Sequence, residues 1–321
     1  MQPRMAESAP SFALPRGVSV ASRRAVAFER RLTIAVVIIP SIGLLLGIVL
    51  AFRSQVGRNN ALLLLAMYSI NILGIGVGFH RLFAHRAFRT IAGVRALLAV
   101  AGSMAAQGPL LYWAAVHRRH HSYSDRPGDP HSPHLHEPGS WRAVVAFWHA
   151  HMGWLFTPEV HDFGLYIPDL LRDRLLVRMN RLYFLWVALG LAAPAAAGAW
   201  LNGGWSGAAQ GLLWGGVVRI ALTHHTTWSV NSICHIYGSR PFRTKDYSRN
   251  NPFMALVAFG EGWHNNHHAF PSSAMHGLRW WEIDFSGYAI RTLEFLHLAW
   301  DVKRPSAGAL EEASIAHGGR S

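Results

Sequence analysis

Three clusters of histidine stand out in this chain of 321 residues. The first is HRLFAH at 80–85, and the other two, HRRHH at 117–121 and HNNHH at 264–268, share the spacing HxxHH. On a helix, each HxxHH motif can direct three imidazoles toward one point. Because imidazole is a good ligand for transition metals and one ion cannot use so many, the pattern predicts a two-metal site. The candidate ligands are His80, His85, His117, His120, His121, His264, His267 and His268.

The spacing within the first cluster differs from the HxxHH motif. His80 and His85 are about 140° apart on an ideal α-helix, so they point apart unless the helix ends between them. Otherwise they serve different ions, or the pair has a purely structural role, which fits equally well because histidines are common at helix ends. A further pair, Asn231 and His235, is four residues apart and shares one helix face. It adds a ninth histidine and an amide that would act through water.

Other polar residues near the clusters have alternative interpretations. Glu261, Asp125 and Asp129 are placed to orient imidazoles, although an ordinary role in a loop or helix cap fits them equally well. His224 and His225 lie about 15–16 Å along the helix from the nearest predicted ligand. This is too far for the same centre, so we interpret them as hydrogen-bonded or cavity-facing histidines.

The ligand type leaves the metal open between iron and zinc. The only cysteine, Cys234, excludes an internal disulfide and a cysteine cluster. A different di-iron scheme uses Glu-x-x-His motifs, which occur at 261–264 and 294–297. Glycines on both sides of Glu261 disfavour a regular helix there, and this scheme would leave both HxxHH motifs unexplained.

The composition is that of an integral membrane protein, with 51% apolar and only 15% charged residues. Apolar segments at 33–52, 61–79, 182–200 and 208–235 are long enough to cross a bilayer, and 91–116 is expected to be interfacial or re-entrant. The net charge of +13 comes mainly from arginines at the ends of these segments. A membrane surface explains them better than nucleic acid does, so no nucleic-acid partner is expected.

The arginine clusters also predict the orientation. They precede the first and third spans and follow the second and fourth, which places both termini and the 80–181 segment in the cytosol. All three histidine clusters then lie on the cytosolic side. Residues 1–31 and 302–321 are predicted to be flexible tails around one domain at 32–301, with no cleaved signal peptide. The preference for arginine over lysine suggests a bacterial protein, and hence the inner membrane.

In order, number and separation, these motifs resemble those of the membrane fatty-acid desaturases, specifically the delta-9 acyl desaturases. The resemblance covers about Phe79 to Trp281 and the two spans before it. The stretches that carry it are HRLFAH at 80–85, HRRHHSYSDRPGDPHSP at 117–133, HMGWLF at 151–156, NSICHIYGSRPF at 231–242 and GEGWHNNHHAFP at 260–271.

The resemblance implies an all-α integral membrane fold, in which four transmembrane helices carry a cytosolic helical cap that holds a histidine-rich di-iron site. It matches His235 to an additional histidine ligand and Asn231 to a water-mediated one. The implied activity is the O2-dependent introduction of a cis double bond, at delta-9, into a saturated acyl chain. The cofactors would be two iron ions, with O2 as co-substrate. The predicted metal site is His80, His85, His117, His120, His121, Asn231, His235, His264, His267 and His268.

The acyl carrier and the electron donor remain open at this point. Animal acyl-CoA desaturases have an Arg-Asp pair immediately before the second box that helps hold coenzyme A, where this chain has Ala115 and Val116. Acyl-CoA, a membrane phospholipid and an acyl-carrier-protein thioester are all plausible substrates. Without a Rossmann fingerprint, a CxxCH motif or a cysteine cluster, the chain needs a separate donor, such as a ferredoxin, a rubredoxin or a b-type cytochrome with its reductase.

Two other functions compete with desaturation. A membrane hydroxylase, ketolase or alkane oxygenase would use the same kind of histidine site. A non-catalytic metal transporter or store would need polar residues along a transmembrane path. The first and third predicted spans contain no charged residue and no histidine, which argues against transport.

Overall fold

The computed structural model describes residues 16–20, 22–53, 56–135, 140–157 and 159–315. This part of the chain is mostly helical, as the sequence predicts, with two short antiparallel strand pairs. The pairs are β1 (Val18–Val20) with β3 (Glu159–His161), and β2 (Arg89–Thr90) with β4 (Ala299–Trp300).

Fifteen α-helices are found in the described residues, joined by shorter π- and 3₁₀-helical segments. The α-helices are α1 (Arg23–Phe52), α2 (Arg58–Leu73), α3 (Ala92–Ser103), α4 (Leu110–Tyr123), α5 (Ser140–His151), α6 (Phe163–Tyr166), α7 (Pro168–Leu171), α8 (Arg174–Arg181), α9 (Tyr183–Asn202), α10 (Gly204–Gly211), α11 (Arg219–Ser232), α12 (Pro252–Val257), α13 (His264–Ala269), α14 (Phe285–Phe295) and α15 (Ala307–Ala313). The π-helices are Gly74–Ala84 and Leu212–Val218, and the 3₁₀-helices are Gly153–Phe156 and Ile233–His235.

Three helical runs in the described residues are long and apolar enough to cross a membrane. They are Val26–Phe52, Arg58–Ala84 and Tyr183–Asn202, and they coincide with the first three predicted spans. The second is longer than predicted because the π-helix continues α2 without interruption as far as Ala84.

The fourth predicted span, 208–235, corresponds to a helical run at 204–232 that packs against α9, α2 and α1. This run is not among the three apolar runs, and it contains a fully buried arginine, Arg219. Its guanidinium donates to the carbonyls of Met104, at 2.5 Å, and of Gly190. Carbonyl acceptors from neighbouring segments thus satisfy this cation inside the bundle.

The segment predicted to be interfacial or re-entrant forms two helices, α3 and α4, with a break between them. Ala106 and Gly108 have positive φ angles of 57° and 96° in this break. The helix α3 packs so closely on the π-helix that a Cβ atom on Gly74 would lie only 2.3 Å from the Gly102 amide nitrogen. Glycine, which has no Cβ atom, permits this approach. As a result α4, which carries the second histidine cluster, also packs beside the π-helix.

Ordered elements occupy parts of both predicted tails. In the first, β1 pairs with β3 and α1 begins at Arg23. In the second, Ser306 caps α15, and Ser314 forms a bridge with Phe242. Pairing with distant segments accounts for this order, and composition alone does not reveal such pairing. The remainder, 1–15 and 316–321, lies outside the described residues.

Candidate metal centre

The π-helix brings the first histidine pair together. The amide of His85 donates to the carbonyl of His80 at 3.0 Å, a hydrogen bond between residues five apart. In this winding, residues five apart lie about one turn above each other, and the two ring centroids are 4.9 Å apart. The structure therefore places His80 and His85 in one group, whereas α-helical winding would have pointed them apart.

Each HxxHH motif is divided between two groups of imidazoles. The first and last histidines of a motif, about 40° apart around the helix, join one group. The middle histidine, about 100° from the last, joins the other group. Each of α4 and α13 therefore contributes two histidines to one group and one histidine to the other. The expectation that each motif directs three rings to one point was wrong for this reason. Group one is His80, His85, His117, His121 and His267, and group two is His120, His235, His264 and His268.

All nine histidines predicted as ligands therefore lie in these two groups, and the candidate ligand atoms of each group lie within 4.8 Å of one another. Asn231 belongs to neither group. It lines a small cavity of about 40 Å³ together with His117 of group one and His264 of group two. Asn231 thus shares a cavity wall with one histidine of each group.

Buried carboxylates orient four of the imidazoles through Nδ1. A ring that donates Nδ1–H keeps the lone pair on Nε2, which is the atom that faces the group. Glu261, Asp125 and Asp129 act in this way, in agreement with one of their two interpretations. Asp246 was not identified from the sequence, because it precedes its partner by 22 residues and belongs to no motif. The pairs are His80–Glu261, His120–Asp129 (2.9 Å), His235–Asp125 (2.8 Å) and His268–Asp246 (2.7 Å).

The nitrogen spacing in each group fits a bound cation. The Nε2 atoms of His235 and His268 lie 3.0 and 3.1 Å from Nε2 of His264. Since the rings of His235 and His268 keep lone pairs on Nε2, at most one of these two contacts is a hydrogen bond, and the other is repulsive without a cation. In group one, contacts of 3.0 and 2.9 Å meet at Nε2 of His267. Two ligands about 2.1 Å from an ion and at right angles would be about 3.0 Å apart.

The protonation states also favour metal ligation. Burial lowers the pKa of His117 and His121 well below 6.5, and neighbouring imidazoles lower it further. Burial alone would raise the pKa of Asp129, but the charge and hydrogen bond of His120 outweigh it and lower that pKa. The pKa of His268 is lowered to about 4, chiefly by burial. At neutral pH the rings of His117, His121 and His268 are therefore neutral and the Asp129 carboxylate is ionised, as metal binding requires. Burial alone would lower the pKa of His120, but the charge and hydrogen bond of Asp129 outweigh it and raise that pKa.

Two buried histidines outside the predicted set adjoin the groups. His276 lies with His80 and Glu261, and His131 stacks on His120 with ring centroids 4.3 Å apart. Among the described residues, neither ring nitrogen of His276 has a hydrogen-bond partner. No spacing in the sequence marks these two residues, and only their burial reveals them.

The two histidines that we interpreted as lying outside the centre do so. His224 is buried, and its Nε2 donates to the carbonyl of Ala105 at 2.9 Å. His225 pairs with His151 at 3.0 Å. Neither belongs to group one or group two.

A cavity of about 470 Å³ borders group one at His117, and its volume is within the usual range for small-molecule sites. One face each of α1, α4 and α11 contributes to its wall, including Val37, Trp113 and Thr227. His117 and Asn231 line this cavity as well as the small one. A molecule held in the large cavity would therefore contact the edge of the imidazole cluster.

Comparison with known proteins gives a consistent result. The profile of the family described as "Fatty acid desaturase" matches residues 59–291. The chain is 45% identical over 281 residues to the hex-5-enoyl-[acyl-carrier protein] acetylenase of Moorena producens, covering 87% of this chain and 88% of that protein. It is 39% identical to an acyl-CoA C20 Delta5-desaturase of Anemone leveillei, covering 75% and 73%. It is 38% identical to an sn-1 stearoyl-lipid 9-desaturase of Synechocystis sp., covering 74% and 70%.

The protein combines membrane-length apolar helices with a two-group imidazole cluster at the wall of a cavity, an arrangement that suits an oxidoreductase of lipid chains. The profile extends over most of the chain and the relatives match it along most of their own length, so the chain belongs to the fatty acid desaturase family. It is therefore an oxidoreductase and a membrane protein. The relatives are named for different acyl carriers and different bond positions.

Proposed function

We propose that the protein is an O2-dependent acyl desaturase that introduces a cis double bond, at delta-9, into a saturated chain for membrane lipid synthesis. The observation that supports this most directly is the large cavity beside the two-group imidazole cluster, which has His117 of group one and Asn231 in its wall. Relatives named as 9-desaturases favour the delta-9 position.

In this proposal group one and group two each hold one iron, and Asn231 contributes through water. Nitrogen donors without thiolate suit iron that must react with O2. A bound iron pair would supply, with O2, an oxidant strong enough to take hydrogen from an unactivated methylene group. The chain's own residues hold and orient these ligands, position the substrate and exclude water.

The aromatic wall of the cavity carries out part of this positioning. The indole of Trp113 stacks on the ring of His117, with centroids 5.1 Å apart and planes at 19°. Trp113 and His117 therefore form one continuous aromatic part of the cavity wall. An acyl chain that lies against this wall brings one pair of methylene groups to the metal-facing side, while the apolar lining keeps bulk water away.

The carboxylates should be required for metal retention. We expect Asp129→Asn to weaken iron binding or activity by about 10–100-fold, because His120 loses its anionic partner at Nδ1. The measurement is iron content after equilibration with a graded chelator. Asp162→Asn is the matched control, since Asp162 only caps the short helix α6 at the surface. Equal iron retention in the two variants would contradict the role of Asp129.

The size of the cavity should limit the length of the acyl chain. Val37 is buried on α1 and lines the cavity. We expect Val37→Trp to shift the products toward shorter chains, because the indole fills space that the distal methylene groups would occupy. Gas chromatography of the unsaturated products measures the shift. Val49→Trp on the lipid-facing side of the same helix should leave the profile unchanged, and a matching shift in both variants would contradict this use of the cavity.

The proposed arrangement in the membrane has four spans within one domain at 32–301. The fourth is the helical run at 204–232, supported by its packing against α9 and by the internal satisfaction of Arg219. The distribution of arginines favours cytosolic termini and a cytosolic metal site at the bacterial inner membrane. The substrate is a phospholipid-bound or thioester-bound acyl chain, and electrons come from a separate ferredoxin, rubredoxin or b-type cytochrome.

A second candidate function is acyl acetylenation, which also removes two hydrogens from adjacent carbons but starts from a double bond. The 45% identity to an acetylenase favours it. The desaturases are 38–39% identical to this chain and are named for different acyl substrates, so sequence identity alone does not separate the two reactions.

Product analysis separates the candidates. The protein is expressed in a strain that lacks unsaturated fatty acids, and the lipids are analysed with saturated and with monounsaturated precursors. A new cis double bond at carbon 9 supports the proposal. A triple bond formed only from the unsaturated precursor supports the second candidate. A hydroxylated or keto product, or protein purified anaerobically without iron, contradicts both.

A further inference from the structure

A cluster of positive side chains covers one side of group two. Arg126, Arg243 and Lys245 are exposed, and the half-buried guanidinium of Arg240 lies 5.9 Å from the ring centre of Tyr247. The ring of Tyr247 is itself 49% exposed. We call these five residues the cationic loop surface.

Two hydrogen-bonded paths lead from this surface to the imidazoles below it. Asp246, between Lys245 and Tyr247, binds Nδ1 of His268 at 2.7 Å. The other path begins at the Tyr247 amide, which donates to Asp125 Oδ2 at 2.8 Å.

The second path ends on another ring of the same group. Asp125 Oδ2 binds Nδ1 of His235 at 2.8 Å, so one carboxylate oxygen connects the loop backbone to that imidazole. Arg126 follows Asp125 directly and thus borders the same spot. A single loop therefore supports two of the four imidazoles of group two and carries exposed positive charge at its outer face.

We propose that the cationic loop surface is the docking site of an acidic one-electron carrier protein, which passes its electrons to group two through Asp246 and Asp125. This inference rests on the proposed function, because only an O2-dependent reaction needs an external donor. O2 is reduced to two waters by four electrons, two from the C–H bonds that break and two from the donor. Two molecules of reduced carrier are oxidised per double bond, and solvent supplies two protons.

Other features of the molecule favour this position. Group one also approaches the surface, at Arg86, but that guanidinium pairs with Asp169 at 3.7 Å. On the cationic loop surface the carboxylates lie beneath the cations and are engaged by His235 and His268. The exposed charge therefore remains complementary to an acidic partner, and such charge mainly accelerates encounter.

The border of this surface supplies a second kind of variant. The amide of Arg243 donates to the carbonyl of Ala313, which places the end of α15 beside the loop. The preceding residue, Glu312, is exposed. Reversing its charge should extend the positive surface and strengthen docking.

The test uses the iron-loaded full chain in neutral phosphatidylcholine nanodiscs, with an acidic plant-type [2Fe–2S] ferredoxin as the probe. For Arg243→Glu/Lys245→Glu we expect the Kd for ferredoxin to rise on the order of tenfold at low salt and to lose its salt dependence. We expect Glu312→Lys to lower Kd a few-fold. Arg172→Glu, which reverses an exposed charge after α7, is the control and should not change Kd.

Turnover is measured in parallel with reduced ferredoxin and with dithionite. The proposal requires that the double variant slows only the ferredoxin-driven reaction, which also shows that it is folded. Undiminished affinity and rate in that variant overturn the proposal, as does a wild-type protein that does not bind ferredoxin. Weakened binding to anionic vesicles alone would assign the surface to lipid and overturn it too. Product with neither reductant would overturn the proposed function itself.

Discussion

Replacing His267 with alanine should abolish product formation and remove iron from group one. Its Nε2 atom contacts Nε2 of both His80 and His121, at 3.0 and 2.9 Å. The only other such contact in that group joins His85 to His117, so His267 alone has two. Loss of a hydrogen-bonded partner behind a ligand already costs about 10–100-fold, and loss of a central ligand should cost more. The measurements are iron content after anaerobic purification and the fatty-acid profile of a complemented strain.

The control is His225→Ala, which removes a half-buried imidazole outside both groups. It should retain both irons and normal products. The reciprocal variant His120→Ala should lose iron from group two, because His120 is the one histidine of α4 that belongs to group two. Full activity in His267→Ala with unchanged iron would remove this residue from the metal site.

The local periodicity of the sequence predicted most of the site. Three imidazoles at spacings of three and four residues must lie on neighbouring faces of a helix, and apolar segments placed the motifs at the ends of spans. The two HxxHH motifs supplied six of the nine histidines of the two groups, and the HRLFAH cluster and the Asn231–His235 pair supplied the other three. Three apolar runs also agree with the predicted spans, because length and composition decide whether a helix can cross a bilayer.

Features that depend on tertiary contacts could not be predicted. The helix before His80 is wound as a π-helix, and packing of α3 against Gly74 accompanies that winding. This turns His85 back toward the side of His80, so arithmetic for an α-helix gave the wrong direction. Asp246 and His276 have no motif spacing, and they reach the site only because distant loops fold over it.

Arg81→Met should be the most destabilising substitution away from the metal ligands. The guanidinium is fully buried, forms a two-pronged contact with Asp284 at 2.9 and 3.0 Å, and donates to Glu261 at 3.0 Å. Without it two carboxylates remain buried without their cation, which costs about 3–5 kcal/mol. Glu261 would also lose the group that fixes it behind His80, so group one should lose iron. Thermal unfolding in detergent and iron content measure the two effects.

The geometry of the guanidinium, beyond its charge, should matter at this position. Arg81→Lys keeps the charge but cannot bind both oxygens of Asp284 together with Glu261, so we expect a stability between those of Arg81→Met and the unmodified protein. Arg304→Met is the matched control, because Arg304 pairs with Glu294 at the surface and its loss should cost less than about 1 kcal/mol. Equal unfolding temperatures of Arg81→Met and Arg304→Met would contradict the prediction. The buried Arg81–Asp284 ion pair would then not stabilise the contact between the π-helix and the segment after the third histidine cluster. A lysine variant as stable as the unmodified protein would show that charge alone suffices.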